Sequence, residues 1–254
     1  MSLLGADEPH PVLLERAAAR SPFVVTCDHA GRLIPRALGD LGLPPHERER
    51  HIAWDIGALG VAETLSRRLG CTLVAQRYSR LVIDCNRPLA SVELIAERSE
   101  ATAIPGNQAL APAARASRVD AVYTPYHDAL RELLDARAAA GVPTAYVAVH
   151  SFTPVYLGRP RAWQVGVLYG ADARLAHPAL DFLRASGDFV VGDNEPYRID
   201  DKDAGIPGHA LARGLPNVLF EIRQDLIVRD AQQIAWGERL AAVVIHAARA
   251  LDLS

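Results

Sequence analysis

No stretch of this chain approaches the ~18 uninterrupted apolar residues that a membrane-spanning helix needs. The amino terminus, Met1-Ser2-Leu3-Leu4-Gly5-Ala6-Asp7-Glu8, also lacks the basic segment and long apolar run of a secretory leader. A cytoplasmic protein without a membrane partner is therefore expected. Cysteine is scarce: Cys27, Cys71 and Cys85 are odd in number and form no C-x-x-C pair, which excludes a disulfide framework and a Cys-type structural zinc knuckle and leaves free thiols. Charge of one sign is not in excess either. The formal net charge is -3, which argues against disorder and against a broad polyanion-binding surface, so nucleic acid is not expected as a partner. The signatures G-x-S-x-G, G-x-x-x-x-G-K-[ST] and G-x-G-x-x-G are all missing, and with them go the serine-hydrolase, P-loop and dinucleotide readings.

What remains is a chain of 254 residues, half of them apolar, long enough to bury a full core and still carry a cleft. One domain over 1–254 is expected, with no repeat or low-complexity linker dividing it. Apolar runs alternate with helical periodicity, which predicts an α/β fold with a mostly parallel or mixed sheet and helices on both faces. Strands are predicted near 22–27, 71–77, 80–84, 144–150, 163–169, 188–192 and 217–223. Helices are predicted at 56–69, ending before Gly70, at 117–140 with Pro125 as a kink, and at 230–252. The segment 86–116 has no clear period and reads as a lid.

Two of the predicted strands deliver histidines to their carboxyl ends. Phe23-Val24-Val25-Thr26 stops at Cys27-Asp28-His29-Ala30-Gly31, and Ala145-Tyr146-Val147-Ala148-Val149 stops at His150-Ser151. A third run, Asn217-Val218-Leu219-Phe220, leads into Glu221-Ile222-Arg223. In open α/β sheets the ligand crevice lies outside this edge. Catalytic zinc takes three protein ligands from His and carboxylate and leaves a position for water, and His29, Asp55 and His150 would supply such a set for one zinc ion per chain. Glu221 would be the general base that takes a proton from the attacking water and returns it to the leaving amine. A helix amino-terminal cap is the alternative role of Asp55. His46-Glu47-Arg48-Glu49-Arg50-His51 resembles a zincin helix only superficially, because its histidines are five apart rather than four. His51 and Asp55 do have i, i+4 spacing, so His51 stays a rival ligand.

Arginines crowd the same region of sequence. Arg77, Arg80 and Arg87 lie within Arg77-Tyr78-Ser79-Arg80-Leu81-Val82-Ile83-Asp84-Cys85-Asn86-Arg87-Pro88, and Arg223 follows Glu221 by two. A guanidinium fork recognises a carboxylate through two parallel hydrogen bonds and can stabilise an oxyanion. Arg80, Asn86, Arg87, Arg223 and Asn194 are the candidate substrate-binding residues, with Arg87 also placed beside Glu221 in the catalytic set. Asp84, on an apolar run, is expected to orient an Arg or a His. Cys27, sharing a strand face with His29, is a weaker ligand candidate, and His127 and His209 are candidates for the pocket wall.

Taken together, these stretches resemble the N-formylglutamate amidohydrolase family. The resemblance is carried by Cys27-Asp28-His29-Ala30-Gly31 with Ile34-Pro35, His51-Ile52-Ala53-Trp54-Asp55-Ile56-Gly57-Ala58, Ser79 through Pro88 and Ile104-Pro105-Gly106-Asn107. It continues through Pro125-Tyr126-His127, His150-Ser151-Phe152-Thr153-Pro154, Asp193-Asn194-Glu195-Pro196-Tyr197 and Glu221-Ile222-Arg223-Gln224-Asp225-Leu226, so it spans about residue 23 to residue 229. The resemblance implies a three-layer α/β/α sandwich related to the zinc carboxypeptidases. It also implies hydrolysis of a small anionic N-acyl amino acid, with N-formylglutamate as the type substrate. His29, Asp55 and His150 fall on the family's metal pattern, Glu221 on its catalytic carboxylate, and Asn86-Arg87 on a segment suited to a substrate carboxylate. Carboxypeptidases carry H-x-x-E around the first zinc histidine, whereas Arg32 stands third after His29 here, so the carboxylate ligand must come from elsewhere. Two other functions fit the same residues: a metallopeptidase for short peptides, and a non-catalytic carboxylate-binding protein. Nothing in the sequence indicates an oligomeric state.

Overall fold

A seven-stranded mixed sheet runs through residues 3–253, the part of the chain described by this computed structural model. Its first strands are β1 (Val12–Glu15), β2 (Phe23–Cys27) and β3 (Thr72–Gln76), followed by a small separate hairpin of β4 (Arg98–Ser99) and β5 (Thr102–Ala103). Then come β6 (Ala145–Phe152), a second separate hairpin of β7 (Val155–Tyr156) and β8 (Arg159–Pro160), and finally β9 (Val165–Leu168), β10 (Val191–Asp193) and β11 (Asn217–Arg223). The sheet order is β1-β3-β2-β6-β11-β9-β10. Strands β3, β2, β6 and β11 are parallel neighbours, whereas β1 runs antiparallel to β3 and β9 antiparallel to β11.

Because successive strand residues point to opposite faces, each apolar run feeds two cores. Phe23, Val25 and Cys27, Val147 and Val149, and Val218, Phe220 and Ile222 pack on one side of the sheet. Val24, Tyr146, Ala148 and Leu219 pack on the other. The first core is closed by α2 (Ala58–Arg68), α5 (Ala176–Ala185) and α6 (Asp230–Arg249), and the second by α4 (Thr124–Ala139) and the loops around Tyr78–Ile83. Each fully buried aliphatic or aromatic side chain contributes about 1.5–3 kcal/mol, and continuous apolar strands are what a sheet covered on both faces requires. The expected three-layer α/β/α sandwich with a mixed sheet is therefore what the chain forms. No helix among the described residues is long and apolar enough to cross a membrane.

Two predicted elements differ from what forms. Residues 80–84 are a succession of turns and not a strand. Their side chains capture the backbone locally: Leu81 N donates to Ser79 Oγ at 3.1 Å and Asn86 N to Asp84 Oδ1 at 2.9 Å, bonds that compete with a ladder. The helix expected over 117–140 is split into α3 (Pro112–Arg118), a wider turn at Val119–Tyr123, and α4, which places Pro125 in its first turn, where its missing N–H costs nothing. Short helix α1 (Pro45–Arg48) ends before His51, so no helical face unites His51 with Asp55. The 86–116 segment is ordered from beneath by a buried pair. Arg118 donates to Val82 O, Gly106 O and Asn107 Oδ1, while Asn107 Nδ2 donates to Leu81 O and Ala96 O.

Candidate active site

His29 leaves the carboxyl end of β2 in a turn that only a residue without a side chain can follow. A Cβ on Gly31 would stand 1.9 Å from Arg77 O, so the backbone there lies directly against the Arg77 strand exit. The same turn holds the next ligand candidate, since Asp55 N donates to His29 O at 2.9 Å. Gly57 caps α2, which leaves the Asp55 carboxylate free to reach into the sheet edge and not to serve as that cap. His150 and Glu221 come from β6 and β11, where they are register partners on the face shared by Tyr146, Ala148 and Leu219. All four side chains are buried and line one cavity of about 550 Å³.

Asp55 Oδ2 lies 2.9 Å from His150 Nδ1 and 3.5 Å from His29 Nδ1. Donor atoms sharing one zinc at about 2.0–2.2 Å stand about 3.3 Å apart, so the carboxylate sits at ligand-to-ligand spacing from both rings. One ligand atom from each of the three residues falls within 4.8 Å of the others, and they are the metal-capable group found among the described residues. His29 Nδ1 and Glu221 Oε2 are buried without a hydrogen-bond partner, which marks a centre whose polar valences are unfilled. The outward nitrogens face further carboxylates: His29 Nε2 meets Asp84 Oδ1 at 2.7 Å, and His150 Nε2 faces Asp28 Oδ2 at 3.5 Å. That is the outer arrangement that fixes ring orientation in metal sites. The donor set thus fits a divalent metal, zinc by ligand preference.

The electrostatics are those of a cation site. Burial would depress the His29 imidazole, and Arg80 adds to that, but Asp84 and Asp55 outweigh both and raise its pKa. Burial likewise opposes the rise at His150, where the Asp28 and Asp55 carboxylates lift it well above the ordinary value. Burial favours the protonated form of Asp55 as well, yet the two imidazoles hold its carboxyl well below the usual range. Glu221 behaves differently. Burial pushes its pKa up to about 7; the His150 imidazole opposes the rise and Asp55 reinforces it, so the group is poised to accept and release a proton near neutrality.

The arginines sort into two groups. Arg80 borders the cavity and donates to Asp84 Oδ2 through Nε and Nη2, at 3.1 and 2.7 Å. Arg87 also borders it, with Nη1 on Asp203 Oδ1 at 3.2 Å and on Lys202 O at 3.1 Å, and with Nε 3.3 Å from Glu93. Asn86 lines the same wall while its amide fastens the 203–205 loop, accepting from Gly205 N at 2.9 Å and donating to Asp203. Arg223 and Asn194 are not brought to this cavity. Arg223 pairs with Asp225 at 2.8 Å past the end of β11, and Asn194 accepts from Tyr169 N at 3.0 Å beyond β10. The i+2 spacing places Arg223 on the strand face of Glu221, but β11 ends there and its guanidinium turns outward to Asp225.

His51 reaches the cavity rim and pairs with Glu100 at 3.2 Å, apart from the His29, Asp55 and His150 group. Cys27 lies in the opposite core against α2, because β2 ends at Cys27 and the chain turns before His29; burial drives its thiol pKa well up. His127 and His209 are stacked and joined Nδ1 to Nε2 at 2.8 Å, behind the cavity and not in its wall. Asp28 and Tyr126 are functional candidates that reading along the chain did not single out. The adjacency of Asp28 to His29 was the available signal, but it is His150 that Asp28 serves.

A model of the N-formylglutamate amidohydrolase family matches residues 21–228, which is most of the chain and includes every residue of the site. The chain belongs to the N-formylglutamate amidohydrolase family. A crystal structure of a gene product from Agrobacterium tumefaciens superposes with a TM-score of 0.95 at 40% identity, covering 98% of this chain and 99% of that one. N-formylglutamate amidohydrolase from Ralstonia eutropha, at 21% identity and a TM-score of 0.65 over 93% of this chain and 99% of that one, shares the fold. N-formylglutamate deformylase of Pseudomonas putida is 34% identical over 127 residues, which is 46% of this chain and 46% of that protein. The match to this curated relative therefore spans about half of its length. The family assignment agrees with the resemblance carried by the strand-end motifs.

Proposed function

We propose that this protein hydrolyses the amide of a small anionic N-acyl amino acid, of the N-formylglutamate type, to a carboxylic acid and the free amino acid, with one divalent metal, zinc by preference. The observation that carries this reading is the convergence of His29, Asp55 and His150 beside a buried Glu221 held in register with His150 on the neighbouring strand. The family assignment and the Pseudomonas putida relative's name support the choice of substrate. His29, Asp55 and His150 would hold the metal, which when bound would polarise the scissile carbonyl and make water a competent nucleophile at neutral pH.

The remaining work falls to the chain's own groups. Glu221 takes a proton from the attacking water and passes it to the leaving nitrogen, a transfer suited to a pKa near the operating pH. Arg80, fixed on Asp84 and facing the cavity, offers positive charge where an oxyanion would grow. Arg87, which also lines the cavity, holds the substrate carboxylate. Metal analysis of the purified protein together with a panel of N-acyl amino acids tests the reading. About one zinc per chain and turnover of N-formylglutamate or a close relative are expected. Metal-free protein with no hydrolysis of any member after zinc is added would overturn it.

A further inference from the structure

The two imidazoles of the metal centre are carried differently. Asp84, which takes His29 Nε2, is itself anchored by the Arg80 fork and by Asn86 N. Asp28, which faces His150 Nε2, has no cation on it. Its Oδ1 accepts from the Tyr126 hydroxyl, in a contact made wholly inside the protein, since Tyr126 is fully buried and Asp28 is 3% exposed. The other side of Asp28 is closed by backbone: a Cβ on Gly205 would meet Asp28 Oδ2 at 2.8 Å, and Gly205 is held in place by its N–H bond to Asn86 at 2.9 Å. The carboxylate is thus confined between a phenol on α4 and the 203–205 loop, with one free oxygen aimed at the imidazole.

We propose that Tyr126 is a positioning residue of the metal centre, acting through Asp28 on the His150 ring. This rests on the metal-centre reading above. A carboxylate free to rotate could turn its charge away from His150 Nε2. A donated hydrogen bond on Oδ1 leaves Oδ2 for the ring, sets which ring nitrogen carries the proton and holds the opposite nitrogen toward Asp55. The donor is neutral, so Asp28 keeps its full charge for the imidazole, whereas Asp84 shares its charge with Arg80. Nothing else in the chemistry uses the Tyr126 hydroxyl.

The protein contains its own control. Tyr146, on β6 beneath His150, is as fully buried as Tyr126, yet it is the Tyr126 hydroxyl and not that of Tyr146 that donates to Asp28. Removing either hydroxyl changes the same number of atoms in the same core, and only one of them touches Asp28. Zinc affinity of the whole chain, measured by competition with a chromophoric chelator, should fall about 10- to 100-fold in Tyr126→Phe and in Asp28→Asn, and stay at the parental value in Tyr146→Phe. The visible spectrum of the cobalt-loaded protein should shift in the first two and not in the third. If Tyr126→Phe does not fold, the shape-preserving Asp28→Asn carries the same measurement. Parental zinc affinity in both Tyr126→Phe and Asp28→Asn overturns the proposal while leaving the metal centre standing. Equal losses in Tyr126→Phe and Tyr146→Phe overturn it as a packing effect, and a parent that binds no zinc overturns the metal centre and the proposal together.

Discussion

Glu221 of β11 and His150 of β6 are register partners in adjacent parallel strands, so the proposed base and a proposed ligand are fixed to one another by the sheet itself. Neither can move without slipping a strand register, which would turn every apolar residue of β11 toward the wrong core. The relative placement of the Glu221 and His150 backbones is therefore as rigid as any part of the fold.

This coupling makes Glu221→Gln a clean test. The amide keeps the shape and cannot accept the proton, so turnover should drop about 10²–10⁴-fold with metal retained. The base works ionised and burial raises its pKa, so parental kcat/KM should fall as pH is lowered into the range where the carboxylate takes up its proton. A bound cation would move this acid limb lower. Parental turnover in Glu221→Gln would remove the residue from the chemistry, and loss of metal would make it a ligand.

Metal removal should be legible in stability. A ligand present at a hundred times its dissociation constant adds about 2.7 kcal/mol to folding, so zinc should raise the unfolding temperature of chelator-treated parent protein. His29→Ala and His150→Ala should lose that increment. Scanning calorimetry with and without zinc decides it, and an undiminished zinc response in both variants would place the metal elsewhere.

Acid should destabilise the fold through the histidine pair behind the cavity. Burial, reinforced by His127, lowers the His209 pKa to about 4. In the unfolded chain the ring titrates at about 6.5, so there the unfolded state binds the proton that the native state refuses. The stabilisation from a neutral His209 is complete above that pH and is lost as pH falls from about 6.5 toward 4, with a slope of at most about 1.4 kcal/mol per unit. Urea midpoints at several pH values should show this slope, and His209→Gln should flatten it. An unchanged slope in that variant would assign acid sensitivity to other groups.

Asn107 should be a stability residue despite its place in a segment that resembles a lid. Its side chain serves the buried Leu81 carbonyl, the half-buried Ala96 carbonyl and the buried Arg118, so Asn107→Ala leaves several polar groups unpaired at a cost of about 2–4 kcal/mol. Limited proteolysis within 86–116 should accelerate with it. A variant as stable as the parent would show that water replaces the amide there.

The sheet and the convergence of His29, Asp55 and His150 were legible because both rest on local signals: β-branched runs that stop at a histidine, and a carboxylate just ahead of a helical period. What escaped needed either a competing local signal or a partner distant in sequence. Ser79 and Asp84 redirect the backbone of an apolar run that otherwise reads as a strand. Helix α5 was overlooked because Pro178 argues against a helix, although it sits in the first turn, where proline is tolerated. Strand β1 is four residues at a sheet edge, too short to show a period. The Asp28–Tyr126 contact joins residues 98 apart, and no local pattern announces it.

The substrate-carboxylate clamp has a competitor already in the cavity. Arg87 stands 3.3 Å from the mostly exposed carboxylate of Glu93, which belongs to the 86–116 segment and offers the charge and geometry a substrate would bring. If Arg87 grips the substrate, Glu93 must yield its place. Arg87→Ala should then raise KM and cost about 2 kcal/mol in kcat/KM, roughly 30-fold, and Arg87→Lys should recover little because an ammonium lacks the planar fork. Glu93→Gln should act in the opposite direction and lower KM, and it should do nothing once Arg87 is gone, since both changes concern one contact. Converting the substrate carboxylate to an amide should lose as much as Arg87→Ala does, and the two losses should not add. Equal hydrolysis of acid and amide by the parent enzyme would sink the clamp, and a KM that Glu93→Gln leaves unchanged would show that the pair is a surface ion pair with no bearing on binding.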